Sequence, residues 1–282
     1  MPDEKKEHRM PDGPVEPIQI FDDVWYIGRR MVGVFVIKTE DGLVLIDSMD
    51  PIDADEKHII PGLEKVGLDP KDIRMILITH GHMDHYDGAK RLQQRFGCKV
   101  GLGFTDCGFM VSSIVNAGHS EYPQIDFLLE DGKEIVVGSH HFLPILTPGH
   151  TPGGMSLIFN CHDHGQEHWA SLWVGAGLPM RVIPRGPKKG TQICTPEEQL
   201  RDTCNYIHSL GVFKEACIAH KCDVVLGVHP HRCDLFAKAE KLASRSAGAQ
   251  NPFVVGEEGV CENILSLCDG AIQQAKNILT EI

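Results

Sequence analysis

At 282 residues the chain could form one large domain or two small ones, and 42% hydrophobic with 23% charged residues is the composition of a globular protein with a substantial core. A formal charge of −12 argues against an electrostatic footprint for nucleic acid or an anionic membrane surface, and the basic run Arg181–Lys189 reads as a solvated loop. Met1–Glu16 lacks the apolar core of a signal peptide and no stretch approaches the roughly 18 apolar residues of a membrane span, so the expectation is a cytoplasmic protein.

Residues 1–17 read as a disordered or extended tail, and 18–282 as a single domain. Val24–Gly28 and Val34–Lys38 have the β-branched and aromatic character of strands, and Glu40-Asp41-Gly42 marks a hairpin turn into Leu43–Asp47. Ala54–Val66 is expected to be a helix ending at Gly67, followed by an apolar strand Met75–Thr79, a loop, a helix near Gly88–Phe96 and a short strand Cys98–Leu102. Phe104–Asn116 is moderately helical and Gly118–Gln124 loop-like. Strands are expected at Phe127–Leu129, Glu134–Val137, His141–Leu146, Met155–Phe159 and Leu172–Val174. The run Cys161-His162-Asp163-His164 with His168 reads as a solvated hairpin tip rather than a surface metal site, and His140 and His141 as strand residues. Thr195 caps a helix to Ser209, with Pro196 in the first turn and Glu198 three residues after the cap. Val224–Val228 is a further strand, and helices follow near Leu235–Ser244 and Cys261–Thr280. Two β-rich halves, each carrying helices, point to an α/β protein of αββα sandwich type, two mixed sheets flanked by helices. The ten cysteines contain no CxxC pair and read mainly as small buried hydrophobes; a bridge such as Cys233–Cys261 is left open.

The chemistry concentrates in Thr79-His80-Gly81-His82-Met83-Asp84-His85, where a buried strand releases four ligand-type side chains within six residues, on what reads as a loop. Imidazole and carboxylate groups converging on a small volume suit zinc better than magnesium or calcium. One loop cannot complete two tetrahedral sites. His150, in Thr147-Pro148-Gly149-His150-Thr151-Pro152-Gly153, and His229, at the end of Val224–Val228, are histidines at strand ends in loops stiffened by proline and glycine. His231 is the rival of His229. There is no GxSxG elbow, no phosphate-cradling GxxxxGK[ST] and no cysteine beside both a helix start and a base.

These three motifs resemble those of the metallo-β-lactamase superfamily, over roughly residues 18–280, and within it the third subclass of class B β-lactamases. Asp41–Asp47, Glu130-Asp131-Gly132 and Asn251-Pro252-Phe253-Val254 support the resemblance. It implies the metallo-β-lactamase fold and two zinc ions per chain, with iron or manganese as substitutes. His80, His82 and His150 would hold one ion, and Asp84, His85 and His229 the other. Asp84 would also orient the nucleophile, and Asp47 would orient the histidine loop. Phe109, Met110, His119 and Tyr122 fall where relatives carry substrate-facing segments; a packing helix is the plain alternative. Ser171–Gly177 contains no carboxylate or cysteine to bridge two metals, which favours the third subclass over glyoxalase-, lactonase- or flavodiiron-like relatives. Ala176 stands where a serine commonly helps hold the β-lactam carboxylate. The implied activity is hydrolysis of an amide or ester in a small molecule by a metal-bound hydroxide. The alternatives are a cytoplasmic lactone, ester or thioester hydrolase of a metabolite, or a metal-binding module without catalysis. The oligomeric state has no signature in the sequence.

Overall fold

The computed structural model describes residues 12–117, 121–175, 177–182 and 189–282. Twelve strands form two sheets. The first is built in sequence order from β1 (Ile18–Phe21), β2 (Val24–Gly28), β3 (Gly33–Thr39), β4 (Gly42–Ile46), β5 (Ile73–Leu77), β6 (Lys99–Gly103) and β7 (Phe127–Leu129). The second has the order β12 (Val224–Gly227), β11 (Gln166–Trp173), β10 (Met155–Asp163), β9 (His140–Leu146) and β8 (Ile135–Val137). Hairpins make β1 to β4 and β8 to β11 antiparallel, whereas β4 to β7 and the β11–β12 pair are parallel.

Alternation along the strands builds the layers. In β2 to β4, Val24, Tyr26, Phe35, Ile37, Val44 and Ile46 face the inter-sheet core with Phe142, Leu157 and Phe159 of the other sheet. The intervening Trp25, Ile27, Val34, Val36, Leu43 and Leu45 point the other way, against Leu63 of α1 (Ile60–Lys65) and Leu92 of α3 (Ala89–Phe96). Strands buried on both faces read as unbroken apolar runs, which is why LVLI and MILI lack a polar alternate. The second sheet is covered by α5 (Pro196–Ala219) and α7 (Gly256–Leu279), whose Leu210, Phe213, Val260 and Ile264 are buried in one cluster with residues of that sheet. Helices on both outer faces of two packed sheets give the expected αββα sandwich.

Four local expectations need correction. The metal-loop residues Met83–Tyr86 form a short helix, α2, rather than loop, and the strand before them ends at Leu77 instead of Thr79. Of Cys161–His164 and His168, expected as a solvated hairpin tip, only His164 lies at the exposed turn. β10 runs to Asp163 and β11 starts at Gln166, joined at His164 and Gly165, both with positive φ, the two-residue turn that matches strand twist. Cys161 and His168 are buried there. The helix capped by Thr195 continues ten residues past Ser209, through Gly211, because Leu210, Phe213 and Cys217 bury one stripe of it. The last helix starts at Gly256, five residues before Cys261. All ten cysteines are free thiols, Cys233 and Cys261 included. Of the N-terminal tail, the described part is extended along β2: Val15 donates its amide to Gly28, and Asp12 pairs with Arg29.

Candidate metal centre

Strand ends at one edge of the sandwich deliver the candidate ligands. After β5, Thr79 leads into His80, Gly81 and His82, and α2 then carries Asp84 and His85. His150 follows β9, and His229 follows β12. His80 Nε2 lies 2.9 Å from His82 Nδ1 and 3.2 Å from His150 Nε2. Asp84 Oδ2 lies 3.5 Å from His85 Nε2 and 3.6 Å from His229 Nε2. The six side chains therefore fall into two adjacent groups of three, with the His80 and His85 rings 4.0 Å apart between them. His229 belongs to this cluster; His231, exposed, stands next to its outer side with ring centres 5.8 Å apart.

Proton placement tests whether the cluster fits a metal. His150 Nδ1 faces the Gly177 carbonyl at 2.8 Å, His229 Nδ1 the Met31 carbonyl at 2.7 Å, and His85 Nδ1 the Asp47 carboxylate at 2.7 Å. Each of those acceptors requires the hydrogen on Nδ1. Thr79 spends its single hydroxyl proton on Asp47, so it accepts from His80 Nδ1 at 3.1 Å. In the neutral rings the Nε2 atoms of all four are therefore bare lone pairs, aimed at one another or at a carboxylate. His85 Nε2 is buried and has no hydrogen-bond partner at all. Converging lone pairs repel unless a cation lies between them, and each ligand's far nitrogen is held as a metal-ligand histidine requires. The residues fit a metal centre.

Electrostatics agree. Burial pushes the His80 imidazole well below its ordinary range, His82 down to about 4 and His150 down to about 3, so these rings are neutral ligands at physiological pH. Burial also disfavours charge on His85, but Asp84 and Asp47 outweigh it and push that ring up to about 10, a proton standing where a metal would. Burial opposes the Asp84 charge too, yet His85 and His229 hold its carboxyl far below the usual range.

Asp47 anchors the histidine segment. One oxygen accepts the Thr79 amide at 2.8 Å, and the other faces His85. A second buried acid, Asp106, escaped the sequence reading. It sits in the first turn of α4 (Phe104–Ala117) and accepts the amides of Gly81 at 2.8 Å and Gly153 at 2.6 Å, tying the His80–His82 segment to the His150 loop. Its only sequence signal is an aspartate in the first turn after a strand. Tyr206 and Trp173 were likewise missed: the Tyr206 hydroxyl (2.8 Å) and Trp173 Nε1 (2.9 Å) donate to the Gly175 carbonyl, two residues before the Gly177 carbonyl that orients His150. The substrate-facing candidates separate. The Phe109 ring packs against His82 at 5.4 Å, whereas Met110 and Tyr122 line a neighbouring groove with Phe104 and Leu128. His119 and Ala176 lie outside the described residues.

Residues 27–163 match the family model described as the metallo-beta-lactamase superfamily. Among solved structures, BJP-1, a subclass B3 metallo-beta-lactamase of Bradyrhizobium japonicum, superposes with a TM-score of 0.74 at 24% identity, covering 95% of this chain and 97% of that one. This is a likeness of fold, in the subclass that the sequence motifs resemble. Hydroxyacylglutathione hydrolase GloC of Haemophilus influenzae is 29% identical over 137 residues, 46% of this chain and 62% of that protein. The probable polyketide biosynthesis zinc-dependent hydrolase BaeB of Bacillus velezensis is 33% identical over 91 residues, 32% of this chain and 36% of that protein. The matches thus span less than two thirds of these relatives' length.

Proposed function

We propose that the chain is a dinuclear zinc hydrolase that cleaves an amide or ester bond in a small molecule, as β-lactamases do. The observation that carries the reading is the set of four Nδ1-tethered imidazoles whose free Nε2 atoms fall into two adjacent groups, one with His82 and one with Asp84. Five imidazoles and one carboxylate form a donor set suited to zinc over magnesium or calcium; iron and manganese remain competitors in the loading test. When bound, zinc lowers the pKa of water to roughly 7 and polarises a carbonyl. His80, His82 and His150 would hold one ion, and Asp84, His85 and His229 the other. Asp84, half-buried, would accept a hydrogen bond from the attacking water and orient it. Phe109, whose ring packs against His82, would contact an apolar part of the substrate. Ten free thiols suit a reducing compartment, which supports a cytoplasmic site of action.

The similarity to hydroxyacylglutathione hydrolases favours a second reading of the same centre, a thioester, ester or lactone hydrolase acting on a metabolite. Zinc-loaded protein assayed against a chromogenic cephalosporin, an acyl-thioester and a lactone separates the two. Replacing His82 or Asp84 by Ala should remove most turnover and lower the metal content. Full zinc occupancy with no turnover on any carbonyl substrate would leave a binding module and refute catalysis.

A further inference from the structure

At the opposite end of the sandwich a second set of ligand atoms comes together from segments far apart in sequence. Asp23, in the turn between β1 and β2, meets His140 at the start of β9 and His162 near the end of β10. Asp23 Oδ2 lies 2.8 Å from His140 Nε2 and 2.6 Å from His162 Nδ1, and all three ligand atoms lie within 4.8 Å of one another. The other oxygen, Oδ1, accepts the backbone amide of His162 at 3.0 Å, which turns Oδ2 towards the two rings. The rings stand edge to face with centres 5.6 Å apart. Asp23 and His140 are buried, and His162 opens the cluster to solvent on one side.

We propose that Asp23, His140 and His162 form a separate structural site for zinc or a similar transition-metal cation, clasping the first hairpin onto the second sheet. A carboxylate, two imidazoles and a water make a four-coordinate zinc set. With metal–ligand bonds of about 2.0–2.1 Å, tetrahedral ligands stand roughly 3.3 Å apart. Outward shifts of about 0.5 Å for the His140 ring and about 0.7 Å for the His162 ring would bring the two carboxylate–imidazole distances to that spacing. The nitrogens of the main centre stand at 2.9 and 3.2 Å, drawn in by less. Without a cation, both rings must place their protons on the nitrogens facing a single carboxylate oxygen. With one, a single centre replaces two crowded N–H groups. His140 Nδ1 is buried without a partner, so a cation on Nε2 would leave an unpaired N–H there, a cost that the metal bond has to offset. The site is remote from the main centre. The Met155 amide, at the start of β10, bonds to Thr79 beside the main ligands, and His162 lies seven residues further along the strand, about 23 Å at roughly 3.3 Å per residue.

The test is zinc stoichiometry on the full chain after equilibration with Zn(II) and removal of loose metal on a chelating resin. Wild type should hold three ions, two at the main centre and one here. His162→Ala should hold two and hydrolyse substrate at the wild-type rate, while His82→Ala should retain the distant ion. His162→Asn keeps a hydrogen-bond donor facing Asp23 but is a poor ligand, so it should also hold two. Equal zinc in wild type and both His162 variants, with His162→Asn restoring the wild-type melting temperature, would overturn the proposal and leave a hydrogen-bonded triad. Loss of one ion in the His162 variants of a protein without turnover would uphold this site and sink the catalytic reading, so the two inferences fail separately.

Discussion

Asp106 offers the sharpest test of how the main centre is held. Its carboxylate is fully buried and accepts two backbone amides, one from Gly81 between two ligands and one from Gly153 just after a third. Asn has the same shape, but its amide accepts only one of these N–H groups through oxygen and sets its own NH2 against the other. One buried N–H is then orphaned, at about 1–3 kcal/mol, and the charge assistance of the remaining bond is lost. For a chain of this size, about 2–4 °C of melting temperature per kcal/mol puts the expected drop for Asp106→Asn on the order of 5–10 °C. Because both amides belong to segments that aim ligands, zinc affinity should fall roughly 10- to 100-fold, the scale for residues that orient ligands. Differential scanning fluorimetry on chelated protein measures the first effect, and competition with a zinc indicator the second. A melting temperature within 1 °C of wild type together with unchanged affinity would refute the assigned role.

Asp47→Asn removes the anion that orients His85 and should weaken zinc binding about tenfold or more, read by the same competition. Gly149→Ala should lower both the melting temperature and zinc content: φ is +135°, and a Cβ there would stand 2.6 Å from the backbone of Tyr206, which cannot retreat, so the His150 loop must shift. Unchanged zinc content in that variant would mean the loop is more pliable than its packing implies. For chelated protein, His82 at about 4 and His150 at about 3 bind fewer protons folded than unfolded below pH 6.5, so stability falls as pH drops from 6.5 through 4. His85 at about 10 binds more protons folded than unfolded above pH 6.5, so its contribution is lost as pH rises towards 10. Urea midpoints should therefore peak near pH 6.5 without metal, and a monotonic profile would contradict these assignments.

The legible parts of the molecule are those where one physical constraint dominates. Strands β2 to β5 announce themselves because both faces are buried, and Thr195 with Glu198 forms the capping box that its spacing implies. The candidate ligands stand out in the sequence because five histidines and an aspartate in the segments after three strands have no packing rationale. The β10–β11 hairpin was illegible past Phe159 because its His and Asp side chains look solvated in sequence, whereas partners distant in sequence, such as Asp23 and Asp223, engage them. Asp106 and Tyr206 were illegible for a related reason. Their roles consist of hydrogen bonds to backbone groups that are 25 to 47 and 31 positions distant, and no local pattern encodes those.

That division has a mechanical consequence. The ligand rings are tethered to Thr79, Asp47, the Gly177 carbonyl and the Met31 carbonyl, four anchors from different parts of the sandwich. The Met31 anchor belongs to the turn between β2 and β3, and it meets His229 across 198 positions of sequence. No single loop therefore sets the geometry of the centre; the relative placement of the two sheets does. Stability and metal affinity should then move together across core variants of either sheet, even where no ligand or anchor is touched. A core substitution such as Phe159→Leu, buried between the sheets, should lower zinc affinity as well as melting temperature. Loss of stability at full wild-type affinity would show instead that the metal loops hold their shape independently of the sandwich beneath them.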